Sequence, residues 1–311
     1  MLSSKNNSVF KKLLFYISII VFLILSISCL NSQHVYAATD FNYTNYLIDD
    51  YSFTNYQTMT ALQIQKFLDG INSGLSKYSD VEDCGPTNGY HYSYYSTYYS
   101  CGNLQSAAQI IFAASQAYQI NPQVIIATLQ KEQSLITTPN PTASQLKYAM
   151  GYGCPDTGSC SSPGFFNQID NATWQFRYDY NLSSGLNYWG HSPVDYPCKG
   201  PTRYYSDALL PNKNVTFFDT NGSPYTSIIL PNAATATLYC YTPHVYPGSA
   251  TEFFSGSYNF VYYFNLWFVP YATTYYGQST NPTLQAGQSL SSYIEYTNSG
   301  NTNWYDDVTA S

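Results

Sequence analysis

Between residues 104 and 136 the sequence carries two consecutive helical patterns, with Asn121-Pro122 at the join. The first runs through SAAQIIFAASQAY, over about 104–118, and the second, NPQVIIATLQKEQSLI, runs to about Ile136. Asn121 is a good N-cap, and Pro122 suits the first helical position, where its missing N–H does no harm. The Thr/Pro/Asn cluster at 137–142 stops the second helix. This pair makes the fold mainly helical.

The rest of the chain is arranged around it. Residues 38–57 read as an extended lead-in. Thr60 caps ALQIQKFLDG, which Gly70 ends. Residues 72–103 read as a Gly/Ser/Tyr/Cys-rich loop containing YHYSYYSTYYS, whose alternation is too poor for a strand. A short helix is expected at 143–149, a Gly/Cys/Pro loop at 150–164, and a longer aromatic helix at 166–184. VTFFDT and YTSIIL around Asn221-Gly222 form a hairpin pattern. Residues 232–239 and 256–268 suit closing helices. From Tyr271 the texture turns to Thr, Ser, Gly and Asn, with LSSYIEY alternating like a half-buried strand, a turn at Asn298–Gly300 and a further short strand opening at Trp304.

The start of the chain indicates export. Lys5, Lys11 and Lys12 precede an unbroken apolar and small run from Leu13 to Leu30, and Val35-Tyr36-Ala37 supplies a cleavage site. This is a signal peptide over 1–37, cut after Ala37, or an uncleaved anchor, since the run approaches the ~20 residues that span a bilayer. Beyond Cys29 stand six cysteines: Cys84, Cys101, Cys154, Cys160, Cys198 and Cys240. An even count behind a leader indicates disulfides, and the simplest pairing joins sequence neighbours: Cys84–Cys101, Cys154–Cys160, Cys198–Cys240. With no CxxC pair and four scattered histidines, neither a metal nor another cofactor is expected.

Charged residues are 9% of the chain, and without the three leader lysines eight bases face eighteen acids. Such a chain lacks the clustered cations that nucleic acid or an anionic bilayer requires, so contact with membrane is expected only through the leader. No coiled-coil pattern or long apolar face appears, and a monomer is expected.

The chain has four glutamates: Glu82, Glu132, Glu252 and Glu295. On a wheel of about 100° per residue Glu132 falls within about 20° of Ile125, on the apolar stripe of its helix. A carboxyl group there loses solvation, which favours its neutral form, the state a general acid needs. The alternative is a structural glutamate paired with a buried amide or arginine.

"INPQVIIATLQKEQSLI" resembles the catalytic helix of the lytic transglycosylase and goose-type lysozyme superfamily. The motif glutamate maps onto Glu132 and its serine onto Ser134, with Gln133 inserted. The family's "GLMQ"-type loop is matched loosely by Ala149-Met150-Gly151-Tyr152-Gly153, without the glutamine. Together with "AMGYGCPD" and "GFFNQIDNATWQFRYDY", the chain from about Tyr51 to Phe268 is similar to secreted bacterial wall-associated proteins, actinobacterial and candidate-phylum members among them, some labelled haemagglutinin-like. The tail "NPTLQAGQSLSSYIEYTNSGNTNWYDD" is similar to the start of a tryptophan-containing Ig-like module. The resemblance implies a mainly α, α+β lysozyme-like domain with disulfides over 38–270, then an incomplete Ig-like β-sandwich over 271–311, with the chain expected to end inside that domain.

The resemblance also implies an extracytoplasmic protein acting on peptidoglycan glycan strands. Glu132 would protonate the MurNAc–GlcNAc bond and then serve as base. Ser134, Met150, Gly151, Tyr152, Phe166, Asn167 and Gln168 would line the cleft, with Phe165 and Trp174 beside them; Phe166 and Trp174 equally suit core packing of their helix, and Tyr152 and Gln168 are the better candidates for a cleft wall. Hydrolysis needs a second carboxylate, for which Asp156 and Asp170 are candidates; without a clear partner, transglycosylase chemistry is favoured. No GxSxG or HExxH motif is present. The rival is a non-catalytic wall or glycan binder. A Glu132 tied to Arg177 or Lys147 in a closed core would favour the binder, and an unpaired one facing a cleft the enzyme.

Overall fold

A computed structural model describes residues 46–82, 98–154, 161–188, 190–195, 198, 200, 202–219, 221–243, 256–269, 273–278 and 293–298. Expectations for the leader, the 1–37 and 270 boundaries, Cys84, Cys160, Asp156, most of the Tyr-rich run and Trp304 lie outside these residues.

In chain order the elements are α1 (Asp50–Thr54), α2 (Ala61–Gly70), a 3-10 turn (Gly74–Lys77), β1 (Ser79–Val81), β2 (Leu104–Ser106), α3 (Ala107–Tyr118), α4 (Pro122–Gln133), α5 (Ala143–Lys147) and α6 (Phe165–Ser183). Then follow β3 (Asn214–Phe218), β4 (Pro224–Ile229), α7 (Ala233–Tyr241), α8 (Ser257–Phe268), β5 (Thr273–Gln278) and β6 (Ile294–Asn298). The strands form three antiparallel two-stranded ladders, β1–β2, β3–β4 and β5–β6.

Local chemistry sets most boundaries. Thr60, Ser106 and Thr142 each cap a helix and exchange bonds with a glutamine three residues on, a full capping box at α2, α3 and α5. Asn121 caps α4 with Pro122 in its first turn. The reading of 104–106 as helix is corrected by Ser106: its side chain takes the Gln109 N–H, so the helix starts at Ala107 and the preceding residues pair with 79–81. That ladder also corrects the loop reading of 72–103, since three-residue strands leave too little alternation to detect. The lead-in contains α1, capped by Asp49.

α4 is the central element. Val124, Ile125, Ile126, Ala127, Thr128, Leu129 and Gln130 are all buried, so the helix is covered on every side rather than along one stripe. α3 and α8 pack against it, α6 packs on α3 and α7, and α2 packs on α3. Aromatic rings join the layers: Phe53 meets Phe176 at 5.9 Å and Tyr180 at 5.7 Å, and Phe67 meets Trp267 at 5.6 Å. At the far end of the chain, β5–β6 is a single ladder, and no sandwich forms among the described residues.

Candidate functional site

α4 ends sooner than its pattern suggests. Ser134 adopts φ +55° as C-cap, and its N–H bonds Gln130 O. Gln130 then turns the chain: its side-chain oxygen accepts from Ile136 N at 3.1 Å and Thr137 N at 3.0 Å. Glu132 therefore sits in the last turn, where the buried helix reaches the surface, with its side chain 24% exposed. The apolar-stripe expectation is corrected: burial of α4 follows its position along the helix, not its azimuth. Nor is Glu132 unpaired or tied to Arg177 or Lys147. Arg177 bonds Tyr118 O at 2.6 Å, and Lys147 stands over the Tyr148 ring.

The partner of Glu132 is its neighbour. Lys131 Nζ lies 2.6 Å from Glu132 Oε1, with the lysine side chain only 7% exposed. The same ammonium donates to Thr242 Oγ1 and stands 5.4 Å from the Tyr241 ring centre. Tyr241 in turn donates its hydroxyl to Met150 O at 2.7 Å. Burial first, then the charges of Glu132, Tyr152 and Asp179, push the Tyr241 phenol well above its ordinary value. It is thus a neutral donor across the physiological range.

The 148–153 loop closes over the carboxylate. Gly151 has φ +69°, and a Cβ on it would stand 2.9 Å from Glu132 Oε2. Gln168 holds this loop. It accepts from Met150 N at 3.2 Å and Tyr152 N at 3.0 Å, and donates to Tyr152 O at 2.9 Å and Ser162 O at 2.6 Å. The structure thus brings Glu132 and Gly151 into contact, with Met150 and Tyr152 beside them.

Other candidates are placed differently. Gln168 is fully buried, and these four bonds make it a loop anchor rather than a group offered to an acetamide. Phe166 is 2% exposed and meets Tyr99 edge-on at 5.3 Å, so its ring packs in the core instead of facing a sugar. Phe165 packs likewise against Tyr78. The Met150 side chain is buried, and its contribution is the carbonyl. Trp174 stacks on Tyr178 at 5.0 Å. Asn167 donates to Pro163 O at the start of α6, Ser134 is exposed as the cap of α4, and Tyr152 is half-buried.

Asp170 is corrected as a second carboxylate for the cleft: it is buried and accepts from Tyr99 at 2.8 Å and Tyr118 at 2.7 Å. A carboxyl that the sequence reading missed, Asp179 of α6, is nearer Tyr241 in its effects. It raises Tyr152, Tyr205 and Tyr241. Its Oδ1 accepts from Gln175 at 2.8 Å, while Oδ2 is buried with no hydrogen-bond partner among the described residues. Burial pushes Asp179 up to about 7.

Cys198 and Cys240 are joined, with Cα atoms 5.7 Å apart, which anchors the last turn of α7, whose final residue is Tyr241 and whose C-cap is Thr242. Cys101 and Cys154 are also disulfide-bonded. Among the described residues no three His, Cys, Asp or Glu side chains gather to hold a metal, and no helix is long and apolar enough to cross a membrane.

A family model described as LasA, N-terminal domain, matches residues 46–186. LasA is a secreted staphylolytic peptidase. The matched stretch runs from before α1 to the end of α6, and so includes α4, the 148–153 loop and Gln168 but not Tyr241 or Thr242. No curated protein and no solved structure matches the chain. The comparisons bring no lysozyme-like or Ig-like module to it, and what they show is a similarity to the LasA N-terminal domain over residues 46–186.

Proposed function

We propose that this chain is an extracytoplasmic cell-wall protein whose site at Glu132 cleaves peptidoglycan glycan strands. The observation that carries this reading is the contact between Glu132 and Gly151. Two sequence-distant motifs, each singled out for the same chemistry, meet at a carboxylate that is partly open to solvent. Glu132 serves as general acid to the bridging oxygen of the MurNAc–GlcNAc β-1,4 bond, then as base toward the muramoyl 6-hydroxyl, giving a 1,6-anhydro product. The relation to LasA supports the wall as the substrate and is silent on which bond is cut. An Ig-like module after residue 270 would add a surface for attachment.

The ion pair with Lys131 favours a second reading, a non-catalytic wall binder on the same scaffold. A carboxylate held at 2.6 Å by an ammonium must be released, or receive a proton, before it can donate one. Incubating the exported chain and Glu132→Gln with purified sacculi, followed by mass spectrometry of the soluble muropeptides, separates the two. Anhydro-muropeptides from the wild type alone are expected. Retention on sacculi with no release by either protein would leave the binder.

A further inference from the structure

We propose that Lys131 is a positioning residue for Glu132, and that it takes its own position from the disulfide-anchored end of α7. This rests on the role given to Glu132 above and specifies how its carboxylate form, the base of the second step, is held once the proton has been given up.

Glu132 lies at the C-terminal end of α4, where the helix dipole disfavours a carboxylate. Among the described residues Lys131 is its one polar partner. A lysine side chain has much rotamer freedom to lose, yet this one is 93% buried by its 7% exposure and is gripped from two elements. Glu132 holds the ammonium from α4, while Thr242 Oγ1 and the Tyr241 ring hold it from the end of α7. The two α7 contacts follow directly on Cys240, which is tied to Cys198. Tyr241 continues the chain to Met150 O, and the next residue, Gly151, lies so close to Glu132 that a Cβ on it would stand 2.9 Å from Oε2. Lys131 is thus the bonded link between the end of α7 and the carboxylate, and removing the ammonium breaks it while leaving Tyr241 on Met150. Thr242 and Tyr241 therefore belong to the site although the matched domain ends before them.

Two readouts test this independently. In protein labelled with 15N-lysine, the ammonium of Lys131 should be visible because its protons are held, and it should vanish or move in both Glu132→Gln and Thr242→Val. No such signal in the folded wild type, or one indifferent to both substitutions, overturns the proposal whether or not the protein cleaves glycan. In turnover of soluble glycan strands, Lys131→Met should lower kcat by about ten- to hundred-fold with KM little changed, as misplacement of a reacting group does. Lys131→Arg, which can still bridge a carboxylate and a hydroxyl, should recover part of the loss. Wild-type kcat in folded Lys131→Met would overturn the positioning role. If the wild type shows no turnover, the glycosidase reading fails and the ammonium signal alone decides whether the bridge exists.

Discussion

Gly151 and Glu132 are packed so that the glycine has no room for a side chain: a Cβ there would stand 2.9 Å from Oε2, on a backbone at φ +69°. Gly151→Ala meets both obstacles. The left-handed backbone costs an L-residue about 1–2 kcal/mol, a loss that thermal or urea denaturation measures. The methyl group also moves the carboxylate, whose far end is the part free to give. Muropeptide release should therefore fall much further than a 1–2 kcal/mol destabilisation explains in protein that remains folded at the assay temperature. Unchanged release by a folded Gly151→Ala would mean that the contact has no part in the chemistry.

Gln168→Ala tests how the loop is held. The substitution leaves the Met150 and Tyr152 N–H groups, together with two carbonyls, without their partner. A buried donor left unpaired costs about 1–3 kcal/mol, so a loss of about 3 kcal/mol or more is expected in the urea midpoint. Amide exchange at Met150 and Tyr152 should accelerate more than exchange in α3. A uniform acceleration would show that Gln168 supports the whole fold and not this loop.

Much of the fold was legible because its signals are local. Asn121-Pro122, Thr60 and Asn221-Gly222 each act within four residues, and the structure places a cap or turn at each. The failures have a common cause in tertiary context. Azimuth on a one-sided helix puts Glu132 on the apolar stripe, but α4 is buried all round, so depth along the axis decides exposure. The β1–β2 ladder is three residues long and joins segments more than twenty residues apart. Lys131 was unremarkable because its partners, Tyr241 and Thr242, lie over a hundred positions away; their one sequence cue was adjacency to Cys240. Gln168, a polar residue beside two phenylalanines, suits a cleft wall by sequence, yet helix packing turns it inward, while Phe166 takes the core place that its helix position equally suited.

The disulfide gives a third prediction. Cys198 and Cys240 enclose a separation of 42 residues, for which chain-entropy reasoning gives about 3–4 kcal/mol of stabilisation. The Cys198→Ala/Cys240→Ala double variant should lose stability on that scale in denaturant. Because Tyr241 and Thr242 follow Cys240, the folded variant should also show greater amide exchange at the end of α7 than in α6. Equal protection in the two helices would detach the disulfide from the site.

Asp179 gives the last prediction, and its sign follows from burial. Its carboxyl is pushed up to about 7 in the folded chain from an ordinary value of 3.8. A carboxyl raised on folding is harboured better as the neutral acid. Its contribution is therefore most favourable below about pH 4, where both states are protonated, is lost as pH rises toward about 7, and changes little above that. The loss across this window is at most about 4 kcal/mol at 1.36 kcal/mol per unit. Asp179→Asn removes the charge and keeps an acceptor for Gln175, while its amide N–H groups face the place where Oδ2 had no partner among the described residues. At pH 4–5 the variant should match the wild type or fall below it. At pH 8 it should be the more stable of the two, with the crossover inside the window. Urea midpoints at pH 4.5 and pH 8 read this directly. A difference between the two proteins that does not change with pH would mean that Asp179 ionises in the folded chain as readily as in the unfolded one, and that the buried Oδ2 is solvated in solution.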